Sequence, residues 1–164
     1  MMVQVARLQL AWVVTVLALL STGCGSVPQT APRAAPAFSF NTLDGKAIRL
    51  SDLKGSPIAL NFWASWCPAC AANSSNLQAI DARYASDGLV VLGVAPDDSE
   101  EALAEKAKRL GITYPIAISD ATASAYGVRA IPITFFIDKQ GMIISSVLGA
   151  ASFEHLEAEV RKLL

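Results

Sequence analysis

The segment Trp66-Cys67-Pro68-Ala69-Cys70 is the most informative part of this chain. It places two cysteines three positions apart, after an apolar run (residues 58–63) and at the start of a stretch with helical spacing. Proline suits the first turn of a helix, where a missing backbone N–H leaves no hydrogen bond unmade. Two of the three cysteines lie here, so the segment predicts a dithiol that can close into a disulfide.

The composition predicts one globular domain without a strongly charged surface. The chain has 164 residues and 53% hydrophobic content, enough for a single domain with a substantial core. Its formal net charge of -1 does not provide the basic surface that nucleic-acid binding requires. We therefore expect no nucleic-acid partner.

The N-terminus carries the pattern of an export signal. Residues 10–20 form an apolar run without a charged side chain. A membrane-spanning helix needs roughly 20 such residues, whereas the central region of a secretory signal has ~7–15. Residues 1–23 are therefore predicted to be a signal peptide. A core helix is the alternative, although no amphipathic pattern supports it.

The next segment, Ser21-Thr22-Gly23-Cys24, resembles the lipobox of bacterial lipoproteins, in which cleavage before the cysteine lets it carry a lipid. Ser21 departs from this pattern, which usually has leucine there. Small residues at Ser21 and Gly23 also suit an ordinary signal peptidase, which would leave Cys24 as a free thiol. We predict a lipidated Cys24, a linker rich in proline and alanine (24–37) and one folded domain (38–164).

Alternating apolar patterns beyond the linker predict an α/β domain with a mixed sheet. An Asp-Gly pair at 44–45 favours the turn of a short N-terminal hairpin. Strands are predicted at 58–63, 89–95, 114–118, 133–137 and 142–148. Helices are predicted at 68–86, from a capping box at 98–101 to Gly111, at 121–126 behind Asp120, and from Ser152 onward. The last two strands should form the antiparallel part of the sheet.

The position of the dithiol predicts different roles for its two thiols. Unpaired amides and the positive end of the helix dipole favour a thiolate at Cys67. Such cysteines have pKa values of ~3.5–7.5, against ~8.5 for a free thiol, and the thiolate is the species that attacks a disulfide. Cys70 shares a helical stripe with Leu77 and Tyr84 and should point inward. We predict that Cys67 is exposed and attacks, and that Cys70 is shielded and resolves the mixed disulfide.

A zinc site and a structural disulfide are two other uses of a cysteine pair. A zinc site needs further Cys or His ligands, and the single histidine, His155, lies on the distant C-terminal helix, where a surface position is predicted. We therefore predict no metal site. A purely structural disulfide is an alternative for an exported protein, but a loop this short constrains the unfolded chain very little.

Three blocks of sequence resemble the TlpA/ResA-like family of membrane-tethered thiol–disulfide oxidoreductases, which have the thioredoxin fold. They are LNFWASWCPAC (60–70), YGVRAIP (126–132), and TFFID (134–138) with Gly141. The segment 96–119 is similar to the central helix–strand insertion of this family. The resemblance covers residues 38–164. It implies a mixed central sheet flanked by helices, an N-terminal hairpin and the TlpA-type insertion.

The resemblance also implies the layout of the substrate site. Ile131-Pro132 would be a cis peptide bond packed against the dithiol, a conformation found in only ~5–6% of X-Pro bonds. An extended substrate segment would pair with the backbone of this loop. Ile131, Pro132, Arg129 and Trp66 would flank the groove, Pro68-Ala69 would be the active-site dipeptide, and Trp63 would lie in the core.

This chain departs from the family pattern beside the cysteines. Thioredoxins carry a buried aspartate where this chain has Asn61, and ResA-like proteins carry a glutamate where it has Asn73. Ile133 replaces the threonine that usually follows the cis-proline. The resemblance therefore implies a site without the carboxylate that would relay the proton of Cys70.

The expected function is thiol–disulfide exchange with protein cysteines outside the cytoplasm. No cofactor is expected beyond the Cys67–Cys70 disulfide. The protein is expected to be a monomer, anchored to a bacterial membrane on its periplasmic or outer cell-surface side, with a membrane electron donor or acceptor. It would act as a reductase in cytochrome c maturation or as an oxidase of exported proteins.

Two alternatives belong to other functional types. One is a peroxiredoxin-like thiol peroxidase of the AhpC/TSA type, although the Pro-x-x-x-Thr-x-x-Cys site of such enzymes is missing. The other is a copper-binding metallochaperone, although the Cys-x-x-x-Cys spacing and a suitably placed histidine are missing as well.

Overall fold

The computed structural model describes residues 32–164. The predicted signal peptide, Cys24 and most of the predicted linker lie outside these residues. None of the helices within 32–164 is long and apolar enough to cross a membrane.

The described part of the chain contains eight strands and four α-helices. The strands are β1 (Arg33–Ala34), β2 (Ser39–Asn41), β3 (Ala47–Arg49), β4 (Ile58–Phe62), β5 (Val90–Ala95), β6 (Ile116–Ile118), β7 (Ile133–Ile137) and β8 (Met142–Leu148). The helices are α1 (Pro68–Tyr84), α2 (Glu100–Leu110), α3 (Asp120–Ala125) and α4 (Phe153–Val160).

Strand β4 lies at the centre of a six-stranded sheet with the order β1-β8-β7-β4-β5-β6. The strands β4, β5 and β6 are parallel, whereas β7 and β8 run antiparallel to their neighbours. All five residues of β4 are buried, as expected for a strand that is covered on both faces. The mixed sheet and its helices confirm the predicted α/β architecture, with the antiparallel part where it was expected.

The side chains of β4 alternate between two hydrophobic clusters, one on each face of the sheet. Ala59 belongs to the cluster that also contains Cys67 and Cys70. Leu60 and Phe62 belong to the opposite cluster. The strand therefore joins both cores and ends directly beside the dithiol.

The N-terminal hairpin lies where it was predicted, but the folded part begins earlier. β2 and β3 pair antiparallel as a separate two-stranded sheet. β1 pairs with β8 through Arg33 opposite Ile143 and Ala34 opposite Met142. The predicted linker was therefore wrong at its C-terminal end. The backbone of β1 pairs with the edge of β8, and such pairing depends little on the composition that suggested a linker.

Two helices do not start at their predicted caps. Ser99 caps α2 and Ser119 caps α3, each by accepting a hydrogen bond from a backbone N–H three residues later. The capping box at 98–101 and the cap at Asp120 were therefore wrong by one residue. This shift leaves the carboxylates of Asp98 and Asp120 free to make other contacts.

A glycine in β5 makes room for the indole ring of Trp63, which is fully buried. A Cβ on Gly93 would lie 2.9 Å from Nε1 of Trp63, 3.0 Å from Ile116 and 3.1 Å from Tyr114. We expect Gly93→Ala to lower the free energy of unfolding by about 1–3 kcal/mol, because overpacking displaces core side chains from their preferred rotamers. Denaturant-induced unfolding measures this change, and unaltered stability would contradict the prediction.

Candidate active site

The two cysteines form a disulfide at the start of α1. Cys67 is the N-cap residue, and its Sγ accepts a hydrogen bond from the backbone N–H of Cys70 at 3.2 Å. Pro68 occupies the first helical position, and both Pro68 and Ala69 are exposed. The amides and the dipole at this helix end favour negative charge on Cys67 when the pair is reduced. The arrangement is that of a reactive thiol.

The two cysteines differ in accessibility. Cys67 is 6% exposed, whereas Cys70 is fully buried. Cys70 lies on the same helix as Leu77 and Tyr84, and all three are buried as predicted. We predicted an exposed Cys67, but most of its surface is buried. This residue packs into the same hydrophobic cluster as Cys70. Within the pair, only Cys67 retains a surface that another thiol can approach.

The turn before Cys67 is held by the loop that follows β5, a contact that the sequence analysis missed. Asp98 accepts hydrogen bonds from the backbone N–H of Ser65 at 2.6 Å and from its hydroxyl at 2.8 Å. The indole Nε1 of Trp66 donates to the carbonyl of Asp97 at 3.4 Å. The predicted strands at 58–63 and 89–95 could have indicated this contact. If such strands are parallel neighbours, the loops at their carboxyl ends lie close together.

The exposure of the two tryptophans agrees with their expected places. Trp66 is 63% exposed beside Cys67, whereas Trp63 is fully buried.

Burial raises the pKa of Tyr114, which lies in the same hydrophobic cluster as Trp63, far above its usual value. Its hydroxyl therefore stays protonated and neutral at physiological pH.

The loop before β7 has the conformation that the family resemblance implies. The peptide bond between Ile131 and Pro132 is cis. Pro132 is buried, and its carbonyl accepts a hydrogen bond from the N–H of Gly149 at 2.8 Å. Ile131 packs against the cluster that contains both cysteines. Arg129 is exposed on the same loop.

A network of neutral side chains lies beneath the first turns of α1. Nδ2 of Asn73 donates to Oδ1 of Asn61 at 3.1 Å and to Oγ1 of Thr134 at 3.3 Å. The Thr134 hydroxyl donates to the same Oδ1 of Asn61 at 3.2 Å. Oδ1 of Asn73 accepts from the N–H of Ala151 at 3.3 Å. The two asparagines therefore connect β4, α1, β7 and the loop before α4 without any ionisable group.

No charged side chain in the described range 32–164 takes the place of the missing carboxylate. Glu159 is the one buried charged residue there. Its carboxylate accepts hydrogen bonds from Ser145 and Lys162, both at 2.6 Å. The same range contains no cluster of three His, Cys, Asp or Glu side chains that is suited to a metal ion.

A cavity lies away from the dithiol. Its volume is about 340 Å³, and it is lined near the start of β4 and at the turn between β7 and β8, by Ile58, Leu50, Leu53 and Asp138 among others. Because Cys67 follows the opposite end of β4, this cavity is not part of the candidate active site.

Comparison with known proteins identifies relatives over most of the described chain. The AhpC/TSA family matches residues 32–146. The thiol-disulfide oxidoreductase ResA of Bacillus thuringiensis (strain Al Hakam) is 31% identical over 133 residues, which cover 80% of this chain and 77% of that protein. The thioredoxin-like protein YneN of Bacillus subtilis (strain 168) is 32% identical over 130 residues, covering 77% of this chain and 76% of YneN.

A solved structure shares the same fold. The thiol:disulfide interchange protein of the thioredoxin family from Chlorobium tepidum TLS superposes with a TM-score of 0.75. The two chains are 28% identical, and the match covers 80% of this chain and 96% of the other.

The neutral network predicts the effect of placing a carboxylate in it. Asn61 is fully buried, and its Nδ2 has no hydrogen-bond partner within the described structure. In Asn61→Asp, burial should raise the pKa of the new carboxyl above ~3.9, because the charged form is poorly solvated. The neutral form is then favoured in the folded state. The variant should therefore lose stability as pH rises from the unfolded-state pKa towards the raised folded-state pKa.

Denaturant unfolding at pH 5 and pH 8 measures the part of this loss that falls above pH 5, at about 1.4 kcal/mol for each unit by which the folded-state pKa exceeds 5. Asn41→Asp is the matched control, because Asn41 is exposed and the same new charge stays in water. Equal pH dependence of the two variants would contradict the prediction.

Proposed function

Because the chain belongs to the AhpC/TSA family and is a thiol–disulfide oxidoreductase of the ResA type, we propose that it exchanges electrons with the cysteines of exported proteins. One observation carries this proposal. The disulfide lies at a helix N-terminus with Cys67 partly accessible and Cys70 fully buried. That asymmetry suits a pair in which one thiol meets the partner and the other completes the reaction.

The reaction starts from the reduced pair when a partner protein is reduced. The Cys67 thiolate attacks a disulfide of the partner, a mixed disulfide forms, and one partner sulfur leaves and takes up a proton. The Cys70 thiol then loses its proton and attacks Sγ of Cys67. The second partner thiol is released, and the Cys67–Cys70 disulfide remains. The partner has gained two electrons and two protons, and the reverse sequence oxidises a partner.

The surface around Cys67 supports an extended apolar segment as the substrate. Trp66 and Leu148 are two of the three large hydrophobic side chains that are exposed in residues 32–164. Leu148 pairs with Ile133, directly after the cis-proline, so it lies at the same end of the sheet as the dithiol. Backbone hydrogen bonds to the loop at Ile131 and Pro132 would align such a segment, and the two exposed side chains would contact its apolar residues.

The neutral network under α1 affects the second half of the reaction. The Cys70 thiol must lose its proton before it attacks, and the buried amides of Asn61 and Asn73, which stand where relatives carry a carboxylate, cannot accept one. Water or the departing partner thiolate must take this proton. Resolution would then be the slow step, and the mixed disulfide would be long-lived. The reduction potential of the pair, relative to its partners, decides between reductase and oxidase.

The proposed location is the outer side of a bacterial membrane, with the lipid attached to Cys24. Because β1 begins at Arg33, the linker is shorter than predicted. Nine residues in polyproline geometry, at ~3.1 Å each, reach roughly 30 Å. The protein would act there as a monomer and would contact other envelope proteins and a membrane electron donor or acceptor. It would need no cofactor beyond its own disulfide.

Substitution of the anchor residue tests this location. Cys24→Ser should move most of the protein from the membrane fraction to the soluble fraction of the envelope, because a signal peptide that is cleaved without lipidation leaves no anchor. Immunoblotting of the two fractions measures the change, with wild-type protein as the reference. An unchanged membrane association of a variant whose signal peptide mass spectrometry shows to be removed would contradict lipidation at Cys24.

Trapping of the mixed disulfide tests the exchange reaction. Cys70→Ser in the full chain should accumulate covalent complexes in the native host, because Cys67 can still attack and nothing resolves the product. Non-reducing gels and mass spectrometry would detect and identify the partners. The double variant Cys67→Ser/Cys70→Ser is the control and should capture nothing. The thiol state of each partner in cells that lack the protein then shows the direction of electron flow.

Other outcomes would favour the two alternatives. Fast consumption of hydrogen peroxide without a thiol partner protein would indicate a thiol peroxidase. Tight stoichiometric copper binding by the reduced protein, with no captured partner, would indicate a metallochaperone. Either result would overturn the proposed exchange reaction.

A further inference from the structure

The attacking cysteine follows a tight turn whose two central residues are held from outside the turn. The N–H of Cys67 donates to the carbonyl of Ala64 at 3.2 Å, which closes the turn around Ser65 and Trp66. The loop between β5 and α2 contacts both central residues. The position of Cys67 at the start of α1 therefore depends on a segment that lies more than 30 residues away in sequence.

Asp98 makes the strongest of these contacts. One carboxylate oxygen accepts the backbone N–H of Ser65 at 2.6 Å, and the other accepts its hydroxyl at 2.8 Å. The second oxygen also accepts the N–H of Ser99 at 2.9 Å. Both Asp98 and Ser65 are half-buried. Hydrogen bonds to a carboxylate are shorter and stronger than neutral ones, so this double contact holds the turn firmly.

The backbone next to Asp98 is itself held in an uncommon conformation. Asp97 has φ of +48° and is the only non-glycine residue with positive φ in the described range. Its N–H donates to the carboxylate of Asp120 at 2.8 Å, and its carbonyl faces the indole of Trp66. Backbone strain of this kind persists where surrounding contacts enforce it, and such positions cluster at functional sites.

We propose that Asp98 is a positioning residue for Cys67. By holding the backbone N–H and the hydroxyl of Ser65, it keeps the Cys67 sulfur over the N-terminal amides of α1. This inference rests on the proposed role of Cys67 as the attacking thiol. The observed hydrogen bond from the Cys70 N–H to Sγ of Cys67 is the contact that the turn preserves. A looser turn would spend less time in this alignment, and the thiolate would lose part of its stabilisation.

The charge of Asp98 has the opposite effect, which makes the inference testable. A nearby carboxylate disfavours the thiolate form of a cysteine. Loss of the charge of Asp98 alone would therefore lower the pKa of Cys67. Loss of the hydrogen bonds to Ser65 would make it less acidic. Other charged groups on the neighbouring segments include Asp97, Glu100, Asp120 and Arg129. Only the Ser65 substitution removes a contact to Asp98 without altering any charge.

The test is the pH profile of Cys67 alkylation by iodoacetamide in the reduced full-length protein. Ser65→Ala and Asp98→Ala should each raise the apparent pKa of Cys67 and slow alkylation at pH 6 roughly 3- to 10-fold. The double variant should be no slower than Asp98→Ala, because Asp98→Ala already removes both bonds to Ser65, including the hydroxyl bond that Ser65→Ala removes. Ser65→Thr, which keeps the hydroxyl, should restore most of the rate.

Two control variants separate positioning from other effects. Ser99→Ala removes the N-cap of α2 in the same loop but leaves both bonds to Ser65, so alkylation should be unchanged. Asp97→Asn removes a neighbouring charge from a backbone position that asparagine tolerates, and alkylation should be no slower. Denaturant unfolding of each variant shows whether it is folded. If Asp98→Ala does not fold, Ser65→Ala and Ser65→Thr still provide the test.

The outcomes distinguish this inference from the proposed function. Equal labelling of Cys67 and Cys70 in the wild-type protein, with the pH profile of an ordinary thiol, would refute the role assigned to Cys67. Selective labelling of Cys67 at low pH, with unchanged profiles in Ser65→Ala and Asp98→Ala, would refute only the positioning role. Faster labelling in Asp98→Ala with no change in Ser65→Ala would show that its charge alone acts.

Discussion

The parallel pairing of β4 with β5 is the constraint on which the rest of this structure depends. Parallel neighbours cannot be joined by a tight turn, so the chain must cross over through a helix. That helix is α1, and it starts at the edge of the sheet where β4 ends. The same pairing places the loop after β5 beside the turn after β4. One sheet interaction thus positions the dithiol, its helix and the aspartate that holds the turn.

The two reactive cysteines lie together at the start of α1. Free amides and the helix dipole stabilise negative charge on Cys67, while Cys70 on the next turn is sealed in the core. Beneath this helix end, hydrogen bonds join the side chains of Asn61, Asn73 and Thr134, although Nδ2 of Asn61 has no partner within residues 32–164. Such a network links four elements without the cost of burying a charge. The network contains no group that can accept the proton of Cys70.

Much of this arrangement could be predicted from local patterns. The central strand appeared as an apolar run broken only by Asn61, and the inward face of α1 appeared in the spacing of Cys70, Leu77 and Tyr84. The predictions that failed concern contacts between distant segments. Asp98 and Asp120 are good helix caps by residue type, but the neighbouring serines take that role. The aspartates instead serve a turn and a loop elsewhere, which no local rule reveals.

The sequence by itself determined the elements from β2 onward, their order and the identity of the dithiol, because hydrophobic periodicity and cysteine spacing are local properties. Only the tertiary structure decided how accessible Cys67 is, which strand covers the edge of β8, and what holds Ser65 and Trp66 in place. Each of these depends on residues far apart in the chain that meet at an edge of the folded sheet. Their proximity follows from strand order and register, and residue type alone does not encode it.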